Sequence, residues 1–130
     1  MPKTTRLFII GGAEKKGRDA QLLRFFFDLC GGAESCITLI TCASQTPLKI
    51  GQLYKKIFLG FGSASVSIIP VFSREEANSR ETVELIEQST GIFISGGSQV
   101  TFAASVGGTK LETALVNQYQ KGVLTGGTSA

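Results

Sequence analysis

Residues 91–102 read GIFISGGSQVTF, and the order of events within them decides the fold. Gly91 to Ser95 is apolar without polar alternation, the pattern of a short strand buried on both sides. Gly96-Gly97 stops the run, and Val100 to Ala104 supplies a helical stretch directly after it. A strand passing through a two-glycine turn into a helix is half of a βαβ unit.

The same punctuation recurs on either side. Upstream, a helix from about Ser79 to Ser89 buries Val83 and Ile86, and polar Ser73–Asn78 reads as loop or a single turn. Before that come a third strand, Ser65–Ile69, closed by Pro70, and a helix opened by Thr46 as N-cap with Pro47 at its first position. In that helix Ile50, Leu53, Tyr54, Ile57, Phe58 and Phe61 fall at helical spacing, and Lys49, Gln52, Lys55 and Lys56 take the wet side. Cys36–Thr41 is the second strand. Arg18–Cys30 is a helix with Leu22, Phe26, Leu29 and Cys30 on one face, stopped by Gly31-Gly32, and Arg6–Ile10 is the first strand. Downstream, Leu111–Tyr119 sets Leu111, Ala114, Leu115, Gln118 and Tyr119 on one side of a helix. Gly122–Thr125 is the fifth strand, and Gly126-Gly127-Thr128-Ser129-Ala130 follows.

Strands alternating with helices give an α/β fold, a parallel sheet of about five strands with helices on both faces. No linker or repeat divides residues 1–130. Ligands of such sheets bind outside the carboxyl ends of the strands, which places Gly11–Gly17, Cys42–Thr46, Gly96–Gln99 and Gly126–Ala130 on one rim. No helix follows the fifth strand, although right-handed winding calls for one. The chain is therefore expected to be the N-terminal part of a single domain, without its C-terminal part.

Composition narrows the function classes. With 42% hydrophobic and 18% charged residues the chain is globular rather than disordered. Its longest apolar runs, such as Leu7–Ile10 and Phe25–Phe27, fall far short of the ~20 residues that span a bilayer. Lys3 and Arg6 precede too short an apolar run for a signal-peptide core, so a cytoplasmic protein without a membrane partner is expected. The net charge of +3 is carried by scattered basic residues, with two tyrosines and no tryptophan, which argues against nucleic acid. Cys30, Cys36 and Cys42 form no CxxC pair and there is no histidine, so neither a zinc nor a redox motif is supported. Three free thiols suit a reducing compartment.

Three glycine-rich stretches carry spacings associated with chemistry. Gly12–Asp19 has the glycine spacing of a phosphate loop but Arg18 and Asp19 where that loop needs lysine and Ser or Thr, so it reads as a plain turn. Gly96-Gly97-Ser98-Gln99 is either a tight turn or a place where backbone N–H groups meet an oxyanion. Gly127-Thr128-Ser129-Ala130, straight after a strand, shows four of the five positions of a nucleophile elbow, with Ser129 as nucleophile and the Ala130 N–H as an oxyanion donor.

Taken together, FIIGGAEKKG (8–17), ITLITCASQTP (37–47), ELIEQSTGIFISGGSQVTF (84–102) and GVLTGGTSA (122–130) resemble the cyanophycinase-type serine peptidases, across essentially the whole chain. The resemblance implies a fold like that of class I glutamine amidotransferases, also described as flavodoxin-like. It implies Ser129 as nucleophile, Gly96, Gly97 and Ala130 as oxyanion hole, and Gln99 with Ser98 as substrate contacts. The implied substrate is cyanophycin, an arginine-aspartate polymer cut to β-aspartyl-arginine dipeptides, with no metal or organic cofactor. Two departures stand out: Lys15 where the family has an acid, and Ser98 where it has aspartate.

A serine needs a base, and this chain has no histidine. The resemblance puts the histidine and its acid after the nucleophile, so the 130-residue chain alone is expected to be inert. A Ser-Lys pair has no motif to support it. The alternatives are an α-aspartyl dipeptidase, a non-catalytic α/β module binding an anion or nucleotide, and a truncated pseudoenzyme or partner subunit. The oligomeric state is open, a homodimer included.

Overall fold

The structure, a computed structural model, describes residues 6–10 and 16–128. The chain alternates as β1 (Leu7–Ile10), α1 (Lys16–Leu29), β2 (Cys36–Ile40), α2 (Pro47–Phe61), β3 (Ser65–Ile69), α3 (Arg74–Ala77), α4 (Arg80–Glu87), β4 (Gly91–Ile94), α5 (Gln99–Val106), α6 (Lys110–Gln120) and β5 (Leu124–Thr128). A short 3-10 turn, Gly32–Glu34, precedes β2. The five strands form one sheet in the order β1-β5-β4-β2-β3, and every pairing is parallel. Counted from β2, this is the flavodoxin-like order, with β1 standing where the fifth strand would.

Helix ends are set by their caps. Ser73, Ser79 and Thr109 accept hydrogen bonds from the amides of Glu76, Thr82 and Glu112, opening α3, α4 and α6. Gly62, at φ 110°, turns the chain out of α2 in the left-handed conformation. Thr46 does stand before Pro47 at the start of α2, but its side chain caps nothing; Ser44 Oγ instead accepts from the Thr46 amide at 3.0 Å. The polar 73–78 segment is a single turn, as its composition suggests.

Each sheet face buries its own core. On one side α1 and α2 bring Leu23, Phe26, Phe27, Cys30 and Phe58 against Ile37, Leu39, Val66 and Phe93. Phe26, Phe58 and Phe93 are fully buried, with ring centroids 5.3–5.8 Å apart in tilted and edge-on contacts. On the other side Ala77, Ile86, Val106, Leu111 and Ala114 pack on Ile40, Ile69 and Ile92. Gln118, buried on α6, donates to the Ile86 and Glu87 carbonyls at 3.2 Å each and closes the end of α4.

Three sequence expectations shift. The buried face of α1 runs through Leu23, Phe26, Phe27 and Cys30, while Leu29 is exposed and Leu22 half-buried. Leu53 of α2 is exposed. The last strand begins later and extends further than Gly122–Thr125, taking in both Gly126 and Gly127. It can do so because Gly127 lies against β4: a Cβ there would stand 2.5 Å from the Ile94 carbonyl oxygen.

Candidate active site

Strand order selects one place on the rim. After β2 the chain crosses to α2 on one face; after the neighbouring β4 it crosses to α5 on the other. Adjacent strands whose connections part to opposite faces open a crevice at their carboxyl ends. Its walls are the 41–46 and 95–98 segments, as the rim reading anticipated.

The glycine turn is fixed from three directions. The Ser95 amide continues the ladder to the Ile40 carbonyl at 3.0 Å, and the Ser98 amide donates to Ala43 O at 2.9 Å. Between them the Gly96 amide donates to Thr128 Oγ1 at 2.6 Å. Gly97 sits at φ 149°, and a Cβ on it would fall inside contact distance of the Ala43 carbonyl oxygen. Only glycine lets the turn lie so close to the 43–44 backbone. Among the described residues no acceptor takes the Gly97 N–H.

Ser98 is the N-cap of α5, its Oγ accepting from the Thr101 amide at 3.1 Å. That role needs only a short side chain with an acceptor oxygen, which aspartate also has, so the departure at Ser98 retains the cap while dropping a charge. Gln99, the first residue of α5, is exposed and lines an open cleft of about 240 Å³ with Ala43, Gly96, Gly97, Phe102 and Thr128. Ala43 and Phe102 give the cleft an apolar lining, and the N-terminus of α5 lends it a partial positive charge. Such a cleft suits a polar group with negative or developing negative charge beside a neutral chain.

Two further hydroxyls lie beneath the turn. Thr41 and Ser95, next in register after the Ile40–Ile94 pair, are buried, and neither side-chain oxygen has a partner among the described residues. Cys42 is buried as well, and burial pushes its thiol up, so it stays protonated and is no rival nucleophile at neutral pH. Among the described residues no group of three or more His, Cys, Asp or Glu could hold a metal ion. No described helix is long and apolar enough to cross a membrane.

The structure thus brings Gly96, Gly97 and Gln99 to one cleft at the carboxyl end of β4, whereas Ser98, between them, caps α5 and is not part of the cleft lining. Ser129, Ala130 and the Gly11–Lys15 stretch lie outside the described residues. Thr128 also lines the cleft; a strand ending at Thr125, as the sequence suggests, leaves it in the loop, whereas β5 runs to Thr128. Its position directly before Ser129 was the available signal.

The family model for peptidase family S51 matches residues 7–130. The chain belongs to peptidase family S51. Among curated relatives, it is 34% identical over 127 residues to a cyanophycinase of Nostoc sp. (strain PCC 7120 / SAG 25.82 / UTEX 2576), covering 97% of this chain and 43% of that one. A cyanophycinase of Synechococcus elongatus is 39% identical over 122 residues, covering 93% and 38%. The chain therefore spans less than half the length of these S51 relatives. In fold it is similar to a peptidase from an acI-B1 Actinobacterium, with TM-score 0.76, 22% identity, and coverage of 94% of this chain and 52% of the other. It is likewise similar to a putative peptidase E from Listeria monocytogenes EGD-e, with TM-score 0.70, 15% identity, and coverage of 97% and 59%.

Proposed function

We propose that this chain supplies the nucleophile and the oxyanion-binding turn of a serine-type peptidase that hydrolyses cyanophycin to β-aspartyl-arginine. The observation that carries the reading is the Gly96-Gly97 turn, tied at 2.6 Å to Thr128, the residue before Ser129. The names and identities of the S51 relatives support the substrate. Ser129 Oγ attacks the scissile carbonyl, forming the acyl-enzyme ester as the amide C–N bond breaks. Its proton passes to a base and on to the leaving amine. Water, deprotonated by the same base, then cleaves the ester. With no histidine among these 130 residues, the base and its acid partner come from the length by which the relatives exceed this chain.

In this reading the Gly97 and Ala130 N–H groups stabilise the tetrahedral oxyanion, Gly96, expected from sequence to donate as well, having its N–H on Thr128 Oγ1, and Gln99 at the cleft mouth contacts the substrate. We also place the protein in the cytoplasm: Cys30, Cys36 and Cys42 are all free, as a reducing compartment requires. The test uses the full-length protein and purified cyanophycin, with dipeptide release read by chromatography. Ser129→Ala should reduce turnover by on the order of 10⁶-fold, whereas unchanged release by that variant removes Ser129 from the reaction. An α-aspartyl dipeptide cut in preference to the polymer would reassign the substrate.

A further inference from the structure

Amides of a parallel strand point alternately to its two neighbours. In β4 and its extension the Ser95 amide faces β2, where Ile40 O takes it at 3.0 Å, so the Gly96 amide faces β5. There it meets not a backbone carbonyl but the Thr128 hydroxyl, at 2.6 Å. Thr128 is the last described residue of β5, next in register after the Ile94–Gly127 pair, and is itself paired with Ile10 of β1. The side chain thus closes the ladder between β4 and β5 at the point where both strands leave the sheet.

We propose that Thr128 is a positioning residue. Its hydroxyl latches the glycine turn to the strand that carries Ser129, and so sets the spacing between the turn's amides and the nucleophile. Because the latch occupies the Gly96 N–H, the turn offers the oxyanion the Gly97 N–H, which no described acceptor takes. A hydroxyl is required, since valine has the same shape and no acceptor. The catalytic half of this inference rests on the reading of Ser129 as nucleophile.

The test compares Thr128→Val and Thr128→Ser in the full-length protein by two readouts. Amide hydrogen exchange at Gly96 reports the latch whether or not the protein is a peptidase. Thr128→Val should speed that exchange about tenfold or more, and Thr128→Ser should restore protection. Cyanophycin kinetics report the consequence: kcat falls about ten- to a hundredfold in Thr128→Val, KM stays within about twofold, and serine recovers most of the loss. Unaltered Gly96 exchange in Thr128→Val overturns the latch. Faster exchange with unaltered kcat overturns the positioning role. Ser129→Ala, run alongside, separates the two ideas: if it alone retains full activity, the nucleophile assignment and the positioning role fall together, and Gly96 exchange still decides the latch.

Discussion

Replacing Gly97 with alanine presses directly on the cleft. At φ 149° the residue lies where only glycine is at ease, and a side chain there costs about 1–3 kcal/mol in backbone strain. The new Cβ would also stand inside contact distance of Ala43 O and 2.9 Å from Ser44 N. Both atoms are backbone, so no side-chain rotation relieves the contact; the 43–44 segment has to move. Moving it stretches the hydrogen bond from the Ser98 amide to Ala43 O, 2.9 Å in the structure, worth about 1 kcal/mol. The loss expected is therefore about 3 kcal/mol, a large part of the ~5–15 kcal/mol that holds a domain together. Urea unfolding followed by circular dichroism measures it as a lowered midpoint at constant slope. Gly60→Ala is the control: Gly60 is in α2 with nothing within 4 Å of its Cβ position, so alanine should stabilise by about 0.5–1 kcal/mol. If Gly97→Ala unfolds within about 0.5 kcal/mol of wild type, the close packing of the turn on the 43–44 backbone is refuted.

Phe93→Ala removes the ring that meets Phe26, Tyr54 and Phe58 at 5.1–5.7 Å. It should cost about 3–5 kcal/mol by the same unfolding assay. Burial pushes the Cys30 thiol up from 9.0 to about 11. The folded state therefore keeps a proton that the unfolded chain releases, and stability should fall as pH rises from about 9 towards about 11, a slope that Cys30→Ala flattens. At neutral pH a thiol reagent added to the native protein should modify half-buried Cys36 before buried Cys30 and Cys42, as peptide mapping would show.

The α/β order was legible because parallel strands buried on both faces read as near-continuous apolar runs, as GIFI does and CITLI does but for Thr38. Strand β5 was misread at its end because glycine marks a turn far more often than a strand. What places Gly127 inside one is the approach of the Ile94 carbonyl from the neighbouring strand, a contact between residues far apart in sequence. The phase of α1 was ambiguous because Phe25-Phe26-Phe27 is apolar at every position. Phe27 goes inward because Phe61 receives it at 5.6 Å and the Arg24 guanidinium covers both rings, at 5.5 and 5.2 Å. The glycine turn and Gln99 were found because a strand-turn-helix junction is a local pattern. Thr128 was missed because its partner, Gly96, is a tertiary neighbour.

Most direct for the central claim is the site of covalent capture. The full-length protein is treated with a fluorophosphonate, and the adduct is located by peptide mass spectrometry while cyanophycin hydrolysis is followed in the same sample. The adduct should sit on Ser129, form more slowly when cyanophycin is present, and end hydrolysis in proportion to its yield. An adduct on another residue that ends hydrolysis, or hydrolysis that continues with Ser129 fully modified, would contradict a serine peptidase built on this rim.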